Sequence, residues 1–143
     1  MADFNKFNSF TTKLGGDINF NTDVLGIILT NTMPSASNSV KADIAEIVTG
    51  NGYNAGGPSV AILEWHDTDI PGIAELVCAS ASVLATADFV GPFQHAVLYD
   101  KTVTEGPLIG WYDYPLEILL ADTESIEIIF DDGSDKGTLT VGP

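Results

Sequence analysis

The most ligand-like residues of this 143-residue chain are Glu64-Trp65-His66-Asp67-Thr68-Asp69, which place an imidazole and three carboxylates within six positions. Side chains of these types can hold a divalent cation if they converge from separate elements and are steadied from behind. On an extended strand, Glu64 and His66 share a face while Asp67 and Asp69 fall in the following turn, so the cluster reads first as the solvated end of a strand. A second acidic run, Asp131-Asp132-Gly133-Ser134-Asp135-Lys136-Gly137, has the composition of a calcium loop. It lacks the alternating ligands and closing glutamate of an EF-hand, and strands flank it, so Asp-Gly reads first as a hairpin turn and calcium second.

Covalent catalysis finds little to work with. No Gly-x-Ser-x-Gly elbow is present, and Cys78, the single cysteine, lies in an apolar run where a buried, inert thiol is expected. His66 and His95 sit in strand-like segments; His95, between Gln94 and Ala96, reads as a packed strand residue. The loop Gly50-Asn51-Gly52-Tyr53-Asn54-Ala55-Gly56-Gly57 lacks the Gly-Lys-Ser/Thr ending of a phosphate-binding loop and opens no helix, so its glycines and asparagines are read as suppliers of positive φ. Paired carboxylates for glycoside hydrolysis stay open in principle, since acids are abundant, and a small acidic hydrolase relying on His66 or Asp131 is kept as a distant reading. The residues assign no catalytic group, no cofactor and no metal.

The elements that would position these groups are mostly strands. Residues 1–16 read as an N-terminal helix or arm: Phe4, Phe7, Phe10 and Leu14 recur at helical spacing, Asp3 can cap the start and Gly15 the end. Such a helix would plug one end of the core or dock on a neighbouring subunit, and the plug is favoured. Asp23 to Thr32 is a β-rich run stopped by Met33-Pro34. Val40 to Val48 allows a helical turn or two, with Ile44, Ile47 and Val48 on one face. Further strands are expected at Val60–His66, Ile73–Ala79, Ser82–Phe89, Phe93–Tyr99, Leu108–Tyr114, Ser125–Phe130 and Thr138–Val141, with turn residues between most of them. Short strands at this spacing, without room for helical crossovers, predict one all-β domain over 1–143: an antiparallel sandwich or barrel, jelly-roll-like, with a short N-terminal helix. In the strand from Leu108, alternation places Leu108, Gly110, Tyr112 and Tyr114 on one face and Ile109, Trp111 and Asp113 on the other. Both faces carry large groups, so both are expected to be covered, one by the core and the other by the same sandwich or by a second subunit.

Composition narrows the partners. Twenty acidic residues oppose five lysines (Lys6, Lys13, Lys41, Lys101, Lys136), the net charge is −15, and arginine is absent. Such a surface repels nucleic acid and anionic membranes and lacks the forked donor that grips phosphates. No basic leader with an apolar core opens the sequence and no apolar run reaches membrane-spanning length, so synthesis in a reducing cytoplasm is expected.

Four segments together carry a resemblance: Ile28-Leu29-Thr30-Asn31-Thr32-Met33-Pro34, the glycine-rich loop Gly50–Gly57, Gly91-Pro92-Phe93-Gln94-His95-Ala96-Val97-Leu98-Tyr99, and Pro107-Leu108-Ile109-Gly110-Trp111-Tyr112-Asp113-Tyr114. In order and spacing they resemble a family of small structural proteins of tailed-bacteriophage virions, over nearly the whole chain; Leu63 to Ala85 departs most from that pattern. The resemblance implies a particle component without catalytic residues. By analogy with other small β proteins on phage heads, it points to a capsid decoration or cement protein, a homo-oligomer taken as a trimer, whose partner is the major capsid protein. The acidic, arginine-free surface fits the outside of the head better than its DNA-facing inside. Phe4, Phe7, Phe10, Leu14, Trp111, Tyr112 and Tyr114 are the residues expected at a subunit interface. The alternative location is the tail, where Trp65 and Trp111 would contact host glycans.

Overall fold

Two long runs of alternating large apolar residues, β7 (Val90–Asp100) and β8 (Leu108–Leu120), pair antiparallel across the turn at 101–107 and form the frame of the molecule. The computed structural model describes residues 4–14, 16–67 and 69–130, and the backbone of 139–141. Around the hairpin the chain places β1 (Phe4–Lys6), a one-turn helix α1 (Phe10–Lys13), β2 (Leu25–Thr30), β3 (Ser59–Val60), β4 (Ile62–Asp67), β5 (Ala74–Cys78), β6 (Ala81–Leu84), β9 (Ser125–Ile128) and β10 (Leu139–Val141). The main sheet has the order β1-β8-β7-β2-β3; smaller sheets are β10-β5-β4 and β6-β9, and every pairing is antiparallel. The fold is all-β and sandwich-like with one short helix, as the spacing of strands and turns predicts.

All six residues of β2 are buried, because the main sheet is covered on both faces. The larger core joins Leu25, Ile27 and Leu29 of β2 and Ala96 and Leu98 of β7 to Leu76 and Cys78 of β5, Val83 of β6 and Ile128 of β9. The opposite face buries Ile28, Val97, Tyr99, Leu108 and Trp111 beneath Phe7 and Ile44. Fully burying a side chain of this size contributes roughly 1.5–3 kcal/mol, so even this smaller cluster is a real second core. Its cover comes from the chain's own segments, which answers which partner covers the second face of β8.

Two sequence expectations change here. Phe4, Phe7, Phe10 and Leu14 do not lie on one helix. Phe4–Lys6 pairs with β8 (Phe4↔Tyr112, Asn5↔Trp111, Lys6↔Gly110), and only Phe10–Lys13 is helical; Asp3 and Gly15, the expected caps, lie outside the described residues. The β8 edge offers backbone partners that a lone three-turn helix would lack. Strand geometry then sends Phe4 and Phe7 to different sides, Phe4 onto Tyr112 (ring centroids 5.0 Å apart) and Phe7 onto Trp111 (4.6 Å). Gly110 permits the approach, since a Cβ there would stand 2.3 Å from the Phe4 ring and 2.6 Å from the Asn5 carbonyl oxygen. The alternation along β8 is also interrupted. Leu98 faces Gly110 but Tyr99 faces Leu108, so the register slips by one and Leu108 joins Trp111 in the small core while Ile109 joins Tyr112 in the large one.

Between Val40 and Val48 only Lys41–Asp43 is helical, as one 3₁₀ turn. Ile44 enters the small core and Ile47 packs against the large one, whereas Val48 is 89% exposed, so these three share no face.

Candidate functional site

Among the described residues, four groups of ionisable side chains lie where strands and loops meet. The most deeply built is centred on Glu46. Its backbone bridges Thr30 beside β2, and its carboxylate Oε2 accepts from the Tyr53 hydroxyl at 2.6 Å and the Gly56 amide at 2.7 Å. Its Oε1 faces the Lys41 ammonium at 3.6 Å. Tyr53, 1% exposed, also accepts from the Leu29 amide at 3.2 Å, and Tyr99 donates to the Gly56 carbonyl at 2.6 Å. Desolvation, then the Glu46 carboxylate, drive the Tyr53 phenol well above its ordinary pKa; burial and Glu46 push Tyr99 up to about 12. Both phenols are therefore fixed donors. The glycine-rich loop exists in this shape to bring Tyr53 and Gly56 to Glu46: Asn51 and all four of its glycines have positive φ, and a Cβ on Gly57 (φ +67°) would stand 1.7 Å from the Ile27 carbonyl oxygen. The expectation that this loop serves backbone conformation holds, while its role as the clamp on Glu46 is additional.

A cleft of about 600 Å³ adjoins this network, lined by Val40, Lys41, Ala42, Ile44, Glu46, Thr104 and Glu105. One wall is fixed by Asp43, whose carboxylate accepts from the Ser39 amide at 2.9 Å and the Val40 amide at 3.3 Å, bonds that hold its pKa below the usual range. Glu46 has one oxygen taken by two donors and the other by a lysine. Its arrangement suits anchoring a loop rather than accepting a substrate proton.

The second group ties β1, β7 and β8 together. Asp113 Oδ1 accepts from His95 Nδ1 at 2.7 Å and Trp111 Nε1 at 2.9 Å, and Asp113 Oδ2 accepts from the Asn5 amide nitrogen at 3.1 Å. His95 and Asp113 are register partners, so the pair is a cross-strand staple, and His95 is the packed strand residue that its apolar setting implies.

The third group is the cluster at residues 64–69. His66 Nδ1 lies 2.8 Å from the Asp67 carbonyl oxygen, and Nε2 lies 3.2 Å from both Glu64 Oε2 and Glu75 Oε1. The hydrogen bond to Asp67 and the two carboxylates raise the His66 pKa despite some desolvation. Both ring nitrogens face oxygens of this chain, Nδ1 a backbone carbonyl and Nε2 two carboxylates, so the ring is held within the strand end by its own neighbours. Glu75 on β5 is the partner that sequence proximity did not reveal. Among the described residues, no set of three or more His, Cys, Asp or Glu side chains stands in metal-binding geometry. The acidic run 131–137 lies outside the described residues.

The fourth group, Asp23 with Asp100, joins the start of β2 to the end of β7. Cys78 is buried at 4% exposure, as its apolar surroundings imply. Of the residues expected at a subunit interface, Phe7, Phe10, Trp111 and Tyr112 are buried in the chain's own cores, and Phe4, Leu14 and Tyr114 pack partly buried against the larger one. The first four have no surface to offer a partner, and the core-plugging role favoured for the N-terminal aromatics is the one they fill. Trp111 is likewise spent internally, which removes it from any glycan-contacting surface.

No protein-family model matches the chain, and no curated protein or solved structure resembles it at a significant level.

Proposed function

We propose that the chain is a structural component of a bacteriophage virion, a capsid decoration protein that seats on the outside of the major capsid shell as a homo-oligomer. The observation that carries this reading is the pairing of a net charge of −15, without arginine, with an all-β body whose polar clusters serve its own strands. Glu46, Asp113 and His66 each bind groups of this chain from a second or third element, so the ionisable side chains hold the fold together. The segments that carry the resemblance are scaffold as well: β2, the loop that clamps Glu46, and the two central strands. A shell component needs that kind of rigidity, and an acidic exterior keeps it off nucleic acid. The reading assigns the chain no catalytic role.

Trp65 favours a second reading, a tail component that contacts glycans. It is partly buried against Phe20 (ring centroids 5.0 Å apart) and borders a cleft of about 260 Å³ with Asn19 and Asn21, an aromatic face beside amides. Co-sedimentation of the purified chain with shells of the major capsid protein tests the first reading. Saturable binding at a fixed ratio per capsid subunit is expected, and a chain that stays in the supernatant while binding a glycan array would favour the second.

A further inference from the structure

Trp65 of β4, partly exposed, borders a cleft of about 260 Å³ lined by Leu14, Ile18, Asn19, Phe20, Asn21 and Trp65 itself. None of the six is charged, in a chain of net charge −15. The indole is steadied by its neighbours: Phe20, 3% exposed, meets it edge-on at 5.0 Å and is in turn packed on Phe10 at 5.9 Å. The amides are set by a tight turn. Asn19 donates its backbone amide to Asp23 Oδ2 at 3.0 Å, its carbonyl accepts from the Thr22 and Asp23 amides, and its Oδ1 accepts from the Asn21 backbone amide at 3.0 Å. Only an oxygen accepts from that N–H, so the other branch of the Asn19 side chain is Nδ2, a donor. What the turn leaves over is polar. Among the described residues, Asn19 Nδ2, both ends of the Asn21 side-chain amide and the Trp65 Nε1–H have no hydrogen-bond partner. Trp111 differs, since its Nε1 donates to Asp113 at 2.9 Å. A largely buried indole N–H ordinarily finds an acceptor, and at Trp65 the chain supplies none.

We propose that this cleft binds a neutral saccharide, one hexose ring whose apolar C–H face lies on the Trp65 indole and whose hydroxyls meet the Asn19 and Asn21 amides and the Trp65 Nε1–H. A sugar hydroxyl both donates and accepts, and the unspent groups here offer donors at all three residues and an acceptor at Asn21. An aromatic wall with a few placed polar groups supplies both surfaces that a hexose presents, its apolar ring face and its polar rim. A purely apolar occupant would bury those amides without partners, at a cost. The volume is below the roughly 300–1,000 Å³ of sites that enclose drug-sized ligands, so a single ring enters and the rest of a glycan stays in solvent. Charge sets the class. The acids of the flanking segments, Asp23 bonded to the Asn19 amide and Asp17 paired with Lys13 at 3.1 Å, disfavour a sialic or uronic acid. The site deepens the glycan-contacting reading and rests on it for its use, whereas its chemistry needs only the folded chain.

The test follows the indole N–H resonances of Trp65 and Trp111 and the side-chain amides of the full chain by two-dimensional NMR. Methyl glycosides of glucose, galactose, mannose and N-acetylglucosamine are titrated to about 100 mM, with N-acetylneuraminic acid as the charged comparison. At least one neutral glycoside should shift the Trp65 N–H and the Asn21 amide saturably and leave Trp111 in place. Half-saturation is expected at roughly 1–10 mM, the level a ligand of about a dozen heavy atoms reaches. Asn21→Ala, an exposed substitution, should weaken that binding at least about fivefold, and Trp65→Ala should abolish it. If Trp65→Ala does not fold, Trp65→Phe, which keeps a ring and removes the N–H, should still weaken binding at least about threefold. Absence of saturable shifts at Trp65 with every neutral glycoside, equal binding of N-acetylneuraminic acid, or an affinity unchanged in Asn21→Ala overturns the site. A chain found only on the head refutes the tail reading and leaves this titration untouched, so the two failures are distinguishable.

Discussion

Replacing Asp100 by Asn should stabilise the protein above neutral pH, and the size of the gain follows from the carboxyl pair. In the unfolded chain an aspartate ionises near its ordinary value of 3.8, whereas in the fold burial and Asp23 raise Asp100 to about 7. Below 3.8 both states carry the proton and Asp100 leaves stability unchanged. Between 3.8 and 7 the unfolded chain releases the proton and the fold keeps it, so stability falls as pH rises, by about 1.4 kcal/mol per pH unit, and levels off above 7 at a cost of roughly 4 kcal/mol. Asp23 acts in the opposite sense: its lowered pKa adds stability above 3.8 that is lost as pH falls through the folded value. Asparagine is neutral at every pH, and its amide can donate to Asp23 as the protonated acid does, so the substitution removes the alkaline cost while leaving Asp23 a partner. The unfolding free energy of Asp100→Asn from urea titration should exceed that of wild type by about 2–4 kcal/mol at pH 8 and match it within about 1 kcal/mol at pH 4. The corresponding gain in melting temperature at pH 8 is roughly 6–12 °C. Equal stability of the two proteins at pH 8, or a difference that does not change between pH 4 and pH 8, refutes the reasoning.

Other consequences are open to direct measurement. Tyr53→Phe deprives the half-buried Glu46 carboxylate and the Leu29 amide of a partner, and should cost about 2–3 kcal/mol in denaturant unfolding with little change in the denaturant slope. Gly57→Ala forces a Cβ into the Ile27 carbonyl at a left-handed backbone position, so loss of more than about 4 kcal/mol or failure to fold is expected by circular dichroism. An NMR titration of His66 should give a pKa above the ordinary 6.5, and Glu75→Gln should bring it back toward that value; an unchanged titration in the variant would remove Glu75 from the account.

Most of the strand pattern was legible because turn residues punctuate apolar runs in this chain, and each expected strand has a counterpart. The aromatic spacing at the N-terminus misled because Phe4, Phe7 and Phe10 recur at helical intervals while the segment's best hydrogen-bonding partner, the β8 edge, lies far away in sequence. Tertiary pairing overrode a local period. The register slip in β8 left no mark in its alternation, since Leu108 and Ile109 are equally apolar. Of the candidate site, the role of the glycine-rich loop was readable from composition, but not its target: Glu46 sits in the apolar run Ile44-Ala45-Glu46-Ile47-Val48, and a lone acid there was the one available signal. Asp23 and Asp100 are ordinary turn residues until the β2–β7 pairing brings them together, so no local pattern could have joined them.

The central claim is that this chain is built into the outer surface of a phage head. Imaging at subunit resolution of particles purified with this chain among their proteins tests it most directly. The account predicts density for the sandwich on the exterior of the capsid shell, in regular contact with the major capsid protein and in symmetric copies. Density confined to the tail, or particles that contain no copy of the chain, would contradict it.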